Sequence, residues 1–274
     1  MDTEDNNISA VVINYNGKEH LERCLTALTQ EAGLQEIMVV DDASTDGSVE
    51  LVQERFPQVM LLQQAQNLGP VTARQTGFRR ARGKYILFVD CDAIVLPGAI
   101  AALRQFLDHH PQVWLAGCRM VDTDGRVVLW NYGPFPSIHS SALVWLRYLS
   151  FRLPVDKTME VDWVAEACFM VRHEVMTAID GFDTNIFMFH EGPDLAMRAK
   201  AKGYATAIVH TAQVVCTNQK VRLRSQARLM VFYQSTLYLY RKHYHYCSYL
   251  FMKCALSVYV ALRRLGLAPP LYFE

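Results

Sequence analysis

The stretch YILFVDCDAIVLPG, residues 85–98, decides the fold of this chain. It contains an apolar run from Ile86 to Val89 that continues directly into two carboxylates, Asp90 and Asp92. A continuous apolar run of this length predicts a strand that is buried on both faces. Such strands do not normally end in two acids with one residue between them, so the pair needs a chemical explanation.

The first hundred residues alternate between strand-like and helix-like segments. We predict strands at 8–16, 37–42, 59–64 and 85–90. We predict a first helix at 18–31, a second helix that starts after an N-cap at Ser44 or Thr45, and a third helix at 70–82. This alternation is typical of an α/β fold with a mainly parallel sheet. Ligands bind outside the carboxyl ends of the strands in such sheets. Polar residues stand at those ends here: Asn14 and Asn16, Asp41 and Asp42, and Asp90 and Asp92.

The pattern changes after about residue 112. Two apolar segments around the turn DTDG (122–125) predict a hairpin, and residues 162–172 are again strand-like. Residues 185–204 pass from an apolar loop into a predicted helix closed by Gly203, and 205–217 predict one or two short strands. Residues 132–154 are irregular and aromatic, and they support no assignment.

Composition places the chain among folded globular proteins. It has 274 residues, of which 51% are hydrophobic and 20% are charged, which excludes a disordered protein. Seven scattered cysteines without a CxxC pair indicate thiols in a reducing compartment, not a disulfide framework or a zinc site. The acidic, polar start MDTEDNNISA is unlike a signal peptide. We therefore expect a cytoplasmic protein.

The C-terminal tail differs from the rest in charge. From Asn218 onward it has nine Lys or Arg residues and one acid, Glu274. Its apolar segment 246–266 is interrupted by Lys253 and falls short of the roughly 20 apolar residues that a spanning helix needs. Peripheral attachment to the anionic inner face of a membrane and packing on the core or on another subunit are equally favoured. Its aromatic residues fit a packing or membrane-facing helix better than a nucleic-acid surface.

The acidic residues at the strand ends permit two interpretations. Side chains at positions i and i+2 of a strand share a face, so Asp90 and Asp92 can approach one divalent ion such as Mg²⁺ or Mn²⁺. The alternative is that Asp92 begins a turn and Asp90 caps a nearby group. Similarly, VVDDASTDGS (39–48) is either a plain strand-to-helix turn or a site where carboxylates bind a nucleobase or ribose. The GxGxxG and P-loop motifs for nucleotides are both absent from the sequence.

Five segments together resemble the family 2 glycosyltransferases, in particular their rhamnosyltransferase-like branch. In order they are VVINYNGKEHLERCL, VVDDASTDGS, NLGPVTARQTGFRRARGKYILFVDCDAIV, GFD and HEGPDLAMRAKAKGY, and the resemblance covers about residues 8 to 245. It implies a GT-A fold over residues 1–217, with a nucleotide-sugar-binding half at about 8–112 and an acceptor half at about 113–217. Residues 218–274 follow as a helical tail.

The resemblance also implies a reaction. Such enzymes use a divalent metal and transfer a sugar, with inversion, from a nucleoside diphosphate sugar to a hydroxyl acceptor such as a lipid-linked saccharide, a polysaccharide or a specialised metabolite. Carried over position by position, Asp41 or Asp42 contacts the nucleobase beside the loop Asn14 to Asn16, and Arg74 lies near the nucleotide. Asp90 and Asp92 hold ribose and the metal–diphosphate. Asp194 is expected on the acceptor side. Apart from the resemblance, the aromatic face of Trp163 suits a sugar ring on that side, although a packed core position is favoured for this residue.

The sequence departs from the family pattern at three positions. Gly192 stands where the family usually has the aspartate base, and Cys216 and Thr217 stand where a metal-ligating histidine is usual. Glu166 replaces a small residue, often glycine. Three hypotheses follow: Glu191 or Glu166 is a substitute base, the chain is a nucleotide-sugar-binding pseudoenzyme, or a partner protein completes the site. Losing the base costs about 10²–10⁴-fold in rate, so selection for sugar transfer would keep a base or replace it nearby. We therefore expect an active enzyme.

Overall fold

The computed structural model describes residues 7–128, 131–137, 157–217 and 226–265. Its strands are β1 (Ile8–Asn14), β2 (Leu34–Asp41), β3 (Met60–Gln63), β4 (Tyr85–Asp90), β5 (Ala93–Val95), β6 (Val113–Val121), β7 (Tyr132–Gly133), β8 (Met159–Val161), β9 (Trp163–Val164), β10 (Cys168–Arg172) and β11 (Ala205–Cys216). Its helices are α1 (Lys18–Gln30), α2 (Ser48–Arg55), α3 (Pro70–Arg80), α4 (Ala99–His109), α5 (His173–Ala178), α6 (Glu191–Lys200), α7 (Gln226–His243) and α8 (Tyr246–Arg264). The α/β fold expected from the sequence is confirmed.

One mixed sheet organises the described residues. Strands β3, β2, β1 and β4 are parallel neighbours in that order. Next, β10 lies antiparallel between β4 and β6, and β11 is parallel to β6. The short strands β5 and β8 both pair antiparallel with β11. The pairings of Asn14 with Asp41 and of Ile13 with Asp90 bring the carboxyl ends of β1, β2 and β4 to one edge of the sheet.

Both faces of the sheet are covered, which explains the apolar run in β4. Leu87 and Val89 pack into the layer beneath α1 and α4, whereas Ile86 and Phe88 pack into the layer beneath α3 and α6. All four side chains are fully buried. Burying one such side chain contributes about 1.5–3 kcal/mol to stability. Two-sided burial therefore makes β4 a rigid support for the acids that end it.

One local assignment needs correction, and two others can be compared with the structure. Helix α2 begins at Ser48 after Gly47, not at Ser44 or Thr45, because Ser44 is used by the neighbouring loop, where its Oγ accepts from the amide of Asn16. Around the DTDG turn, where a hairpin was predicted, Val121 and Val127 form an antiparallel bridge, and the amide of Val128 donates to the carbonyl oxygen of Met120 at 2.9 Å. Residues 205–216, where one or two short strands were predicted, form one strand with a register shift. Most of the aromatic segment 132–154 lies outside the described chain, which has a gap at residues 138–156.

The described tail is helical, as expected, and α7 is joined to the sheet domain by ion pairs. Lys242 Nζ lies 2.6 Å from Asp183 Oδ2 and 2.7 Å from Asp194 Oδ1. His243 Nε2 lies 2.7 Å from the same Asp194 oxygen. Among the described residues, neither tail helix combines the length and apolarity needed to cross a bilayer. The boundary predicted at 217/218 follows the end of β11, and residues 218–225 lie outside the described chain.

Candidate active site

The carboxyl ends of β1 and β2 are joined by a network of polar side chains. Asn14 Nδ2 donates to Asp41 Oδ1 at 2.8 Å and to Ser44 Oγ at 3.1 Å. The other carboxylate oxygen of Asp41 accepts the amide of Ser44 at 2.9 Å, and Asn16 Oδ1 accepts the amide of Thr45 at 2.8 Å. Asn14 and Asp41 are buried, whereas Asn16 is exposed. The predicted donor residues therefore lie together and fix this loop.

Asp42 holds the loop that precedes α3. Its two carboxylate oxygens accept the amides of Leu68 and Gly69, each at 2.8 Å. Gly69 has a φ of +88°, and a Cβ there would lie 2.6 Å from the carbonyl oxygen of Phe187. Glycine is the residue that tolerates both conditions. Burial raises the pKa of Asp42, and the two amides act against that rise.

Arg74 connects the two halves of the site. Its guanidinium is buried, with Nη2 at 2.6 Å from Asp90 Oδ1 and Nη1 at 3.0 Å from Glu191 Oε1. Nη2 also lies 3.4 Å from the carbonyl oxygen of Glu166. Within the described chain, Arg74 Nε and Glu191 Oε2 are buried without a hydrogen-bond partner. Arg74 thus fixes the end of β4, the start of α6 and the loop before β10 relative to one another.

Asp92 lies where β5, β11 and α1 meet. Its carbonyl oxygen accepts from both the amide and the hydroxyl of Thr217, each at 2.9 Å. The same hydroxyl lies 3.2 Å from His20 Nδ1. Burial and the charge of Asp90 raise the pKa of Asp92 to about 6, and His20 acts in the opposite direction. Thr217 therefore secures the Asp92 backbone at the position where the sequence comparison led us to expect a histidine ligand.

Gly192 and Glu166 are in direct contact. The amide of Gly192, the second residue of α6, donates to Glu166 Oε1 at 2.8 Å. A Cβ at 192 would overlap that oxygen and lie 3.0 Å from Glu166 Cδ and 3.1 Å from the carbonyl oxygen of Val164. Burial, and then the charge of Glu191, raise the pKa of Glu166 to about 8, with Arg74 opposing. The Glu166 carboxylate therefore fills the volume that a side chain at 192 would need.

The two residues predicted on the acceptor side have structural partners. Asp194 is buried and accepts from Arg198 Nε at 2.9 Å as well as from the tail residues Lys242 and His243. Trp163 Nε1 donates to the carbonyl oxygen of Pro134 at 2.8 Å, and its ring covers Gly133. These contacts account for both residues without an acceptor, and their acceptor-side role stays a prediction.

Comparison with known proteins identifies the family and the fold of this chain. The model of the family described as "Glycosyl transferase family 2" matches residues 9–179. The chain belongs to this family. The expected glycosyltransferase assignment is thus confirmed: the chain is an enzyme of nucleotide-sugar-dependent glycosyl transfer.

Individual relatives agree with the family assignment. The chain is 25% identical over 262 residues to the N-acetylglucosaminyl-diphospho-decaprenol L-rhamnosyltransferase of Mycobacterium tuberculosis, covering 87% of this chain and 85% of that protein. Its fold is similar to that of the mannosyltransferase PcManGT from Pyrobaculum calidifontis, solved with GDP-Man and Mn²⁺ (TM-score 0.61, 17% identity, 97% of this chain and 76% of that one). It also matches S. aureus TarS (TM-score 0.60, 17% identity), covering 86% of this chain but only 44% of TarS.

The donor set at β4 fits a hard divalent cation that arrives with phosphate. Among the described residues no three His, Cys, Asp or Glu side chains are placed to hold a metal ion. Mg²⁺ and Mn²⁺ sites of this type need one or two protein carboxylates, completed by phosphate oxygens and water. Burial, and then the charge of Asp90, raise the pKa of Asp92, and a bound cation would favour its ionised form. The residues present are therefore sufficient for a cation shared with a diphosphate.

Sequence reasoning missed several features of this site. It did not single out His20, which lies beside Thr217 at Asp92, and it gave no reason to connect Arg74 to Glu191, 117 positions away. It also passed over Tyr15, which is 51% exposed beside the donor loop. The signal for Tyr15 was its place between Asn14 and Asn16 at the end of a predicted strand. For His20, its position in the first turn of α1 beside that loop was the only hint.

Proposed function

We propose that this glycosyltransferase moves a sugar, with inversion, from a nucleoside diphosphate sugar to a hydroxyl group of a lipid-linked saccharide. The observation that carries the proposal is the meeting of Asp90, Asp92 and the buried Arg74 at the carboxyl end of β4. Beside them lies the polar network that joins β1 and β2. The acceptor class follows from the name of the mycobacterial relative, whose match extends over most of both chains.

The donor lies, in this proposal, across the ends of β1, β2 and β4. The loop of Asn14, Asn16, Asp41 and Asp42 faces the nucleoside. Backbone amides donate to Asn16, Asp41 and Asp42, and Asn14 donates to Asp41, so the loop is held before any ligand arrives, which lowers the ordering cost of binding. Arg74 supports the nucleotide by fixing Asp90.

A divalent cation would be held by Asp92 together with Asp90. Such a cation neutralises the charge that develops on a departing diphosphate. The chain's own contribution is to keep both carboxylates at the end of a rigid strand, with the Asp92 backbone secured by Thr217.

A direct experiment is to measure donor hydrolysis and transfer with Mn²⁺ across UDP-, GDP- and dTDP-sugars. Turnover that requires Mn²⁺ is expected. The Asp92→Asn variant should weaken metal-dependent nucleotide binding by at least roughly tenfold, because loss of even an outer-shell partner costs 10–100-fold at metal sites. Nucleotide binding without turnover across all donors would instead support the pseudoenzyme hypothesis. Unchanged binding by Asp92→Asn would refute the donor site.

A second proposal concerns where the enzyme works. We infer that α8 lies on an anionic lipid bilayer, with a stripe of exposed apolar side chains facing the lipid. The stripe consists of Tyr246, Leu250, Phe251, Val258, Leu262 and Leu265, exposed by 70%, 40%, 56%, 58%, 39% and 71%. The opposite face of α8, including Met252 and Tyr259, is buried.

Charge favours a bilayer over a second copy of the chain as the occupant of this surface. Residues 226–265 contain six Lys or Arg residues and no acid. Basic residues beside an apolar helix face increase binding to anionic lipids, by about 1 kcal/mol per residue near the surface. Two copies of a face with only positive charges would repel each other. A lipid-linked acceptor would also be reached from this surface.

Vesicle flotation tests this second proposal. The protein should float with phosphatidylglycerol vesicles, float less with phosphatidylcholine vesicles, and lose binding in Phe251→Glu. The control is Phe187→Glu, which changes a phenylalanine that is 41% exposed outside the tail. Equal flotation of both variants would contradict the proposal, as would a wild-type dimer that Phe251→Glu converts to monomers.

A further inference from the structure

We propose that Glu166 is the catalytic base of this enzyme and that it has exchanged places with residue 192. The carboxylate that the family pattern puts on the first turn of α6 comes here from the loop before β10. This inference rests on the proposed sugar transfer, and it identifies the group that accepts the acceptor's proton.

Space is the first argument for an exchange. Gly192 lies in the first turn of α6, and glycine inside a helix is destabilising by roughly 0.5–1 kcal/mol relative to alanine. Its φ is not positive, so backbone conformation does not require glycine there. What excludes a side chain is the Glu166 carboxylate, because a Cβ at 192 would overlap Oε1. The large residue at 166 and the missing side chain at 192 therefore occupy one volume between them.

The second argument is that the other candidate base is already committed. Glu191 is 6% exposed, and its Oε1 is ion-paired with the buried Arg74 at 3.0 Å. Moving that carboxylate to an acceptor would leave the Arg74 charge partly unpaired in the protein interior, which is costly. Glu166 is less buried than Glu191, and its carboxylate Oε1 is held by a single neutral amide, that of Gly192. Of the two, Glu166 is the carboxylate that can take up a proton without breaking an ion pair.

A purely structural explanation also exists, and it makes a different prediction. Glu166 accepts a hydrogen bond from the first turn of α6, where His190 provides no side-chain cap, so it also acts as a cap for that helix. A cap needs only an acceptor oxygen, which glutamine retains. A base needs a group that binds a proton, which glutamine lacks. Glu166→Gln therefore separates the two roles.

The proposed step balances as follows. The acceptor hydroxyl gives its proton to the Glu166 carboxylate while its oxygen forms a bond to the anomeric carbon. The bond from that carbon to the phosphate oxygen breaks, and its electron pair leaves with the nucleoside diphosphate. Glu166 then returns its proton to solvent, so no other reactant is required.

The decisive experiment compares four variants in a sugar-transfer assay, with nucleotide affinity and thermal unfolding measured alongside. Glu166→Gln should lower kcat by about 10²–10⁴-fold, the usual effect of losing a general base, with nucleotide affinity and Tm unchanged. Glu160→Gln is the matched control, since this glutamate is exposed on β8, and it should behave as the wild type. Glu166→Ala should lose as much activity as Glu166→Gln. The double variant Glu166→Ala/Gly192→Asp should be at least tenfold more active than Glu166→Ala, because it returns a carboxylate to the helix.

The outcomes are distinct. If the wild type transfers sugar and Glu166→Gln retains kcat within about threefold, the inference is wrong and the proposed function stands. A folded Glu166→Ala/Gly192→Asp variant that is no more active than Glu166→Ala also overturns it. If the double variant does not fold, Glu166→Gln alone decides. Absence of wild-type transfer would overturn the proposed function and this inference together.

Discussion

The donor side and the acceptor side of the site lie at one edge of the same sheet but are built differently. On the donor side, Asn14, Asp41 and Asp90 end parallel strands whose register fixes their relative positions. On the acceptor side, Glu166 and Gly192 belong to a loop and a helix that meet only through packing and one hydrogen bond. The first arrangement has the residues that the resemblance led us to expect, whereas the second has Glu166 and Gly192 where a small residue and an aspartate were expected.

The difference lies in what fixes each set of side chains. Asn14, Asp41 and Asp90 take their positions from strand register. Glu166 and Gly192 share one volume between a loop and a helix, so the side chain that fits at one position depends on the residue at the other. In the proposed mechanism the proton acceptor needs only to reach that volume, from either segment.

The largest effect on stability is expected from removing Arg74, which joins the donor side to the acceptor side. Arg74→Ala leaves Asp90 and Glu191 without their shared cation in a buried setting, and breaking such a pair costs about 3–5 kcal/mol. Urea unfolding should show this loss. Arg79→Ala, on an exposed position of the same helix, should stay within about 0.5 kcal/mol of the wild type. Similar losses for the two variants would mean that Arg74 does not join the two sides.

Much of the donor side was predictable from the sequence, for a physical reason. Strand-to-helix alternation implies parallel strands, and parallel strands bring their carboxyl ends together, so the residues at the ends of β1, β2 and β4 had to converge. The buried nature of β4 followed from its four consecutive apolar residues. Helix bounds were less accurate where polar side chains serve a neighbouring loop, as Ser44 does in binding the amide of Asn16.

The acceptor side was only partly predictable. Glu166 and Gly192 were recognisable as departures because the surrounding motifs resemble those of the family. Their mutual contact was not, since it joins residues 26 positions apart through a loop whose path no periodic pattern defines. The same holds for Arg74 and Glu191, and for the ion pairs that attach α7 to Asp194.

The pH dependence of catalysis sharpens the acceptor side. The pKa of Glu166 is raised to about 8 by burial and by Glu191, and Arg74, which also pairs with Asp90, opposes the rise. A base works in its ionised form, so kcat/KM should rise about tenfold per pH unit up to about pH 8 and then level off. The measurement is a pH profile of kcat/KM at saturating Mn²⁺. A profile that stays flat from pH 6 to 8 would argue against Glu166 as the base.

The same profile in Glu166→Ala/Gly192→Asp provides the comparison. Its carboxylate would lie on the first turn of α6, where the helix dipole favours the ionised form. The rise in kcat/KM should therefore shift to lower pH. An unchanged profile would assign the titration to another group.

The smallest effect is expected at the contact between the tail helix α7 and the start of α6. His190 precedes α6 and is partly buried, and its Nε2 lies 2.8 Å from Thr236 Oγ1 on α7. Thr236 donates its own proton to the carbonyl oxygen of Phe232, so His190 Nε2 is the donor, and burial lowers the pKa of this histidine to about 4. Thr236→Val leaves a buried N–H group without its acceptor, at a cost of about 1–3 kcal/mol. Thr177→Val, which loses a similar hydroxyl on an exposed helix position, should lower the unfolding temperature less.

Because the unfolded state binds the His190 proton more readily, stability from this contact should decline as pH falls from about 6.5 towards 4. If Thr236→Val and Thr177→Val unfold at the same temperature, the contact between His190 and Thr236 does not stabilise the start of α6, which is then held by the Glu166 contact and by the ion pairs of Glu191 and Asp194.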